Sequence, residues 1–384
     1  MTGSSQAGNP APSSPLRLIV AHAGPVDEAA RQALAGLRLP HLSRLLARLA
    51  PMPEAGAAGT GTGAALPARS GDSDDSAGLH PELSLSLPHE LALARALGLP
   101  ARDGRLPWAA WREALASAAA GSASASTADE AAPPAFARFT PCHWAVGSDH
   151  IAMRPPEVLQ LDEGDSRALL AAMTPYFTED GLAVDWQGPL HWRARGDMLR
   201  ALPCASLDRV VGRTVDDWLP RVPEVRPLRR LQQEMQMLLY THPVNEARER
   251  AGLLPVNSFW VDGAGALPTT VPAAPGAAAL PTFPAVSPVA SVRVDDRLRE
   301  PALQGDAAAW VQAWQALDAQ VLPPLLAALD RGEAVRLTLA GEKAAATWQS
   351  SAWQSADGTA SGGWLRRLAA RLRTPRVADI LEPL

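Results

Sequence analysis

Four residues past the middle of this 384-residue chain are of the types that hold an anion. His242, Asn245 and Arg248 lie in Thr241-His242-Pro243-Val244-Asn245-Glu246-Ala247-Arg248, and Asn257 follows in Leu254-Pro255-Val256-Asn257. A guanidinium offers paired donors to a carboxylate or phosphate, and carboxamides add neutral donors. The same residues have a second use. Pro-Val-Asn occurs twice here, and such asparagines bond nearby backbone to hold a helix-to-strand corner. Ligand site and structural corner both stay open on the sequence. Arg167, Arg209 and Arg213 are lesser candidates, of the kind more often found as surface charges.

Two further constellations carry reactive residue types. Cys142-His143-Trp144 with Cys204 or His191 contains zinc-binding side chains, but no tight Cys-x-x-Cys or His-x-x-x-His spacing joins them. Cys142 and His143 make a poor nucleophile–base pair, because adjacent side chains rarely point the same way. Gly147-Ser148-Asp149-His150 reads best as a turn with a hydrogen-bonded histidine.

The His-Pro-Val-Asn run, Arg248, Gly252, Pro255-Val256-Asn257 and Gly263-Ala264-Gly265 resemble the signature of archaeal-type cofactor-independent phosphoglycerate mutases, members of the alkaline phosphatase superfamily. Cys142 to His150, Ser166-Arg167-Ala168-Leu169-Leu170, Pro175-Tyr176-Phe177, Leu207 to Arg213 and Gln233 to Met237 extend the likeness. Together they are similar to the RpfE-type regulatory proteins, divergent relatives of those mutases, over about residues 140–265. The resemblance implies an α/β fold: an alkaline-phosphatase-like, mostly parallel sheet flanked by helices, with an inserted smaller α+β lobe. It also implies a hydroxyl nucleophile and two divalent metals held by carboxylates and imidazoles at the strand ends.

The expected ligands are replaced. After the strand Leu18-Ile19-Val20, Ala21 stands where the family has aspartate, with His22 as the available substitute. Ser86, in Ser84-Leu85-Ser86-Leu87-Pro88-His89-Glu90, is the relic candidate for the nucleophile, without the acidic residue that should follow it. Near the C-terminal end Glu342-Lys343 occupies the place of an Asp-His pair, and no histidine follows His242. A lysine charge repels a cation. The resemblance therefore implies a catalytically degenerate, regulatory relative that binds a small anionic, phosphorylated metabolite or a protein partner, with no cofactor. The first alternative is a residual metal-dependent mutase or phosphatase, which alone would need a divalent metal. The second is a structural scaffold.

Alternating strand and helix signals must position these residues. Leu16 to Val20 reads as a strand, followed by a helical stripe from Leu34 to Leu49. Leu91 to Leu97 is helical and stops before Pro100. Leu228, Leu231, Met235, Leu238 and Leu239 share a helix face that Pro243 should end. Ser258 to Val261 is a strand stopped by Asp262-Gly263, and Val335 to Leu339 another. Trp310, Trp314, Leu317, Val321 and Leu325 form a stripe broken near Pro323-Pro324. Strands alternating with helices predict a parallel sheet, and ligands in such sheets bind beyond the strands' carboxyl ends.

The expected organisation is a disordered tail over 1–14 and two parts of one phosphatase-like domain, 15–140 and 257–384, around an insert-like lobe, 141–256. Low-complexity loops fall at 54–78 and 118–134, and a Pro/Ala-rich loop at 264–289. At 47% hydrophobic residues the chain can bury a sizeable core. A net charge of −5 gives no footprint for nucleic acid or an anionic membrane. Two cysteines, no signal peptide and no apolar run long enough for a membrane span point to the cytoplasm. Twelve tryptophans, against two tyrosines and five phenylalanines, are expected to serve packing.

Overall fold

The computed structural model describes residues 15–52, 84–119, 132–268, 292–356 and 376–384. The tail 1–14, all of 54–78 and most of 118–134 and 264–289 lie outside the described residues. The described strands are β1 (Leu16–Val20), β2 (Ala50–Pro51), β3 (Ala135–Cys142), β4 (Trp144–Val146), β5 (Ile151–Met153), β6 (Ala183–Gly188), β7 (His191–Arg195), β8 (Ser258–Ala266), β9 (Val292–Asp295), β10 (Val335–Ala340) and β11 (Ala345–Gln349).

A five-stranded sheet of order β2-β11-β10-β1-β9 forms the first unit. β1 pairs in parallel with β9 and β10, while β11 and β2 close the other edge antiparallel. β1 and β10 are apolar over most of their length, as expected for strands covered on both faces by helices. Helices Glu28–Leu34, Pro40–Arg48, Ala307–Gln320 and Leu322–Asp330 pack their leucines and tryptophans into one core on this sheet. Trp310 and Trp314 meet edge-to-face at 6.2 Å within it. The stripe from Leu34 to Leu49 is two helices rather than one, because Pro40 starts the second at its first turn. That second helix has no capping side chain of its own. The buried Asp318 supplies one from afar, accepting Leu42 N–H at 2.8 Å and His41 N–H at 3.2 Å.

The second unit is a four-stranded antiparallel sheet of order β6-β7-β3-β8, with the small hairpin β4-β5 beside it. β3 shows why it has two different faces. Ala137 and Phe139 point into a core with Phe177, Trp192, Met235 and Phe259, while Arg138 and Thr140 point the other way. Helix Trp108–Ala119 packs on β3 and β8, so it belongs with this lobe. Since β3 and β8 pair over most of their length, the lobe spans 135–266 plus that helix, wider than the 141–256 expected. The mixed α/β class holds, with a parallel-containing sheet flanked by helices. Among the described residues no helix is long and apolar enough to cross a membrane.

Two expected stops behave differently. β8 does not end at Asp262-Gly263 but runs to Ala266. Gly263 takes φ +64°, and the pairing with β3 slips between Phe136 and Arg138, so a bulge absorbs the turn signal. Pro243 does not directly end the helix Arg226–Tyr240. It opens the next one, Pro243–Arg250, from its first turn.

Candidate functional site

A cavity of about 680 Å³ lies between the two units, beyond the carboxyl end of β9. One wall is the outer face of the antiparallel sheet, with Arg138 and Thr140 from β3, Asp262 from the β8 bulge, and Trp108 and Arg112 from the helix laid across it. The facing wall follows β9 and carries Asp296, Arg297, Arg299 and Leu303. Ser86, Glu90, Ser206 and Asp208 also line it.

Most charges here are matched. Arg138 donates to Asp262 Oδ2 from Nε at 3.1 Å and Nη2 at 2.5 Å. Arg299 holds Asp208 with both arms of its fork, at 2.6 and 2.5 Å. Burial opposes ionisation of Asp208, but its contacts with His22 and Arg299 outweigh that and hold the carboxyl well below the usual range. Arg112 is different: it makes no hydrogen bond or ion pair among the described residues. Burial, with the charge of Arg138 beside it, brings its guanidinium down to about 10. Thr140 is 2% exposed, and its hydroxyl is without a hydrogen-bond partner among the described residues. Asp262 and Glu90 act on Arg112 through space, but a cation without a contacting partner and an unpaired hydroxyl on one wall, among the described residues, leave capacity to bind.

Glu90 lines the cavity at the start of helix Pro88–Ala96. It accepts Leu87 N–H at 2.8 Å, the carboxylate half of a capping box, and the hydroxyl of Ser206 donates to the same oxygen. Burial pushes its carboxyl up to about 7, against those hydrogen bonds. Burial also pushes the Cys204 thiol up to about 12, so it stays protonated. Cys142 and Cys204 are both free.

The strand ends do not fit a pair of divalent metals. His22, held at φ 54°, lies 3.5 Å from Asp208, whose carboxylate is already paired with Arg299. Its ring also stands 5.3 Å from that of His89, whose imidazole burial lowers to about 3. Asp295 accepts from Arg297 at 2.8 Å and faces Arg293 at 3.5 Å. The Glu342 carboxylate is bound by Arg213. Arg209 is fully buried beneath these loops and donates to the carbonyls of Glu342 at 2.8 Å and Ser86 at 3.1 Å. Guanidinium groups thus neutralise the carboxylates that metal ions would need, and among the described residues no three His, Cys, Asp or Glu side chains converge as a metal site. Ser86 lines the cavity, but its hydroxyl accepts Gly104 N–H at 2.8 Å, and its own N–H is held by Asp103.

None of the four residues proposed from sequence lines the cavity. His242 caps helix Pro243–Arg250, accepting Val244 N–H at 3.3 Å. Asn245 is buried and bridges Leu239 O and Val256, both its N–H and its carbonyl. Arg248 donates to Leu254 O at 3.0 Å, Asp165 at 3.1 Å and Leu159 O. Asn257 clasps both backbone groups of Trp144. These contacts brace a corner. The exposed Asp149-His150 pair is joined at 2.7 Å in the turn between β4 and β5, and His143 is held on Pro255 O.

Sequence reasoning passed over Arg112, Arg138, Thr140 and Glu90. Their signals are modest. Arg138 and Thr140 alternate with apolar residues in β3, and Trp108 and Arg112 are one helical turn apart.

No family model matches the chain, and no curated protein is similar to it by sequence. Among solved structures it is similar to the cofactor-independent phosphoglycerate mutase from Thermoplasma acidophilum DSM 1728, at 16% identity over 96% of this chain and 98% of that one, with a TM-score of 0.33. It is also similar to the PH0037 protein from Pyrococcus horikoshii, at 13% identity over 88% of each chain, with a TM-score of 0.37. Likeness at this level speaks to neither activity nor ligand.

Proposed function

We propose that this chain is a regulatory, phosphoglycerate-mutase-like protein of the alkaline phosphatase superfamily that binds an anionic metabolite between its two lobes and performs no metal-dependent phosphoryl transfer. The observation that carries the reading is Arg112, a cation without an ion pair among the described residues, on the same cavity wall as the unpartnered hydroxyl of Thr140. Desolvating a cation is costly unless something compensates it, and an anion would do so for both groups. The anion-binding reading is made for this cavity rather than for His242, Asn245, Arg248 and Asn257, because the Asn245, Arg248 and Asn257 donors are engaged by backbone carbonyls and Asp165. Silence toward phosphoryl transfer is supported by the guanidinium partners of Asp208, Asp295 and Glu342.

Thermal unfolding with phosphoglycerates, sugar phosphates, nucleotides and carboxylates tests the binding. A true ligand at a hundredfold excess over its Kd stabilises by about 2.7 kcal/mol, and Arg112→Met should remove that gain. If no anion shifts unfolding at millimolar concentration, the reading fails and a protein partner takes its place. Conversion of 3-phosphoglycerate to 2-phosphoglycerate with added manganese, abolished by Ser86→Ala, would refute the silence.

A further inference from the structure

We infer that the ligand of this cavity is a singly charged carboxylate carrying an extended apolar, ring-sized body, rather than a small phosphoester. The inference rests on the anion-binding reading of the same cavity and narrows it by charge, by shape and by the state of the nearest helix terminus.

Charge comes first. Among the described residues Arg138 is matched by Asp262, Arg299 by Asp208 and Arg297 by Asp295, which leaves Arg112 as the lining arginine without an ion pair, with Asp262 and Glu90 acting on it only through space. A monoanion can pair with it, and because the lining also carries Glu157, Asp296 and Glu300 little further negative charge is tolerated. A phosphate dianion would bring a second negative charge beside Asp208 and Asp262 with nothing to offset it. Thr140 then adds one neutral donor, and a guanidinium fork with a hydroxyl suits the two oxygens of a carboxylate.

The helix terminus points the same way. Phosphates are commonly held on the free N–H groups of a helix start. Here helix Pro88–Ala96 begins at the cavity, but its Leu87 N–H is bound by the carboxyl of Glu90, and the N–H of Ser86 by Asp103. Two carboxyl groups of the protein thus already sit on the backbone N–H groups that lead into this helix.

Shape supplies the rest. About 680 Å³ falls in the range of roughly 300–1,000 Å³ that encloses a ligand of drug-like size. A three-carbon phosphoester would leave much of it to water against apolar walls. Those walls are Leu106, Trp108, Pro156, Leu190, Leu207 and Leu303. Trp108 lies one turn before Arg112 on the same helix face, so an aromatic surface adjoins the cationic end. An apolar body attached directly to the anionic head has somewhere to go.

Titration calorimetry on the full chain with 2-naphthoate, acetate, 2-naphthyl phosphate, 3-phosphoglycerate and inorganic phosphate tests this. The expected result is 2-naphthoate binding at least about tenfold tighter than acetate and tighter than 2-naphthyl phosphate. Arg112→Met should weaken 2-naphthoate by about tenfold or more. Leu303→Ala, at a half-buried position on the facing wall, should weaken 2-naphthoate and leave acetate unchanged. If 3-phosphoglycerate or inorganic phosphate binds as tightly as 2-naphthoate, the carboxylate inference falls while the anion-binding reading stands. If none of the five binds at millimolar concentration, both fall. Binding of 2-naphthoate that both variants leave unchanged would place it elsewhere and overturn the assignment.

Discussion

Two arginines show how differently one side chain can be used. Arg248, 2% exposed, spends its donors on Leu254 O, Leu159 O and Asp165. Arg248→Ala should cost about 3 kcal/mol in urea unfolding, because it strands buried acceptors, and should leave any anion-induced shift intact. Arg112→Met removes a cation that has no ion pair among the described residues. Its stability should stay within about 1 kcal/mol of the parent, while the anion-induced shift disappears. Glu90 gives a pH signature. Its carboxyl titrates near 4.5 when unfolded and near 7 in the fold, so folding favours the protonated form. That contribution is full below about 4.5 and is lost as pH rises through about 7. Glu90→Gln cannot ionise. The melting temperature of this variant relative to the parent should therefore climb from pH 5 to pH 8 and then level off, and a flat difference would mean Glu90 does not titrate in this window. His89 works with the opposite sign. Its neutral form is favoured, and that contribution is lost as pH falls from 6.5 toward 3 in both proteins, so it cancels in the comparison.

At the scale of elements, the local patterns were readable where the periodicity was strong. Leu228, Leu231, Met235 and Leu239 share the buried face of helix Arg226–Tyr240, and Met237 and Tyr240 project outward. Val335–Ala340 and Leu16–Val20 form the parallel pair their apolar runs suggested. Reading failed where a partner lay far away in the chain. Asp318 caps a helix that starts 278 residues earlier, at Pro40, and Arg138 meets Asp262 across 124 positions, so no local window contains either contact. The cavity is made largely of such pairs, and for that reason most of its charged residues were missed while the corner around Asn245, contiguous in sequence, stood out. The β8 bulge gives an element-level prediction. Gly263 sits at φ +64°, and a Cβ there would stand 3.2 Å from Ala109 N and from Trp108 Cβ. Gly263→Ala should destabilise by about 1–2 kcal/mol from backbone conformation alone, as read by denaturant unfolding. It should also weaken ligand binding, since the bulge aims Asp262 at Arg138 and seats the helix bearing Trp108. Wild-type stability and binding would show that the bulge tolerates a side chain.

At the scale of the whole molecule, the lobes are joined by a residue already met beneath the strand-end loops. Arg209 comes from the second lobe and ties Ser84, Ser86 and Glu342 of the first. A divalent ion in that region would be a visitor, governed by supply and by competition from every other chelator around it. A guanidinium is written into the chain, present once per molecule and impossible to dialyse away. Lobe assembly is thereby insulated from mineral nutrition: starving cells of manganese, or treating purified protein with a chelator, should leave the melting temperature where it was. Arg209→Met, by contrast, should cost about 3 kcal/mol, and added divalent salt should not rescue it. A chelator-sensitive melt would instead place this protein among those whose architecture is on loan from their metals.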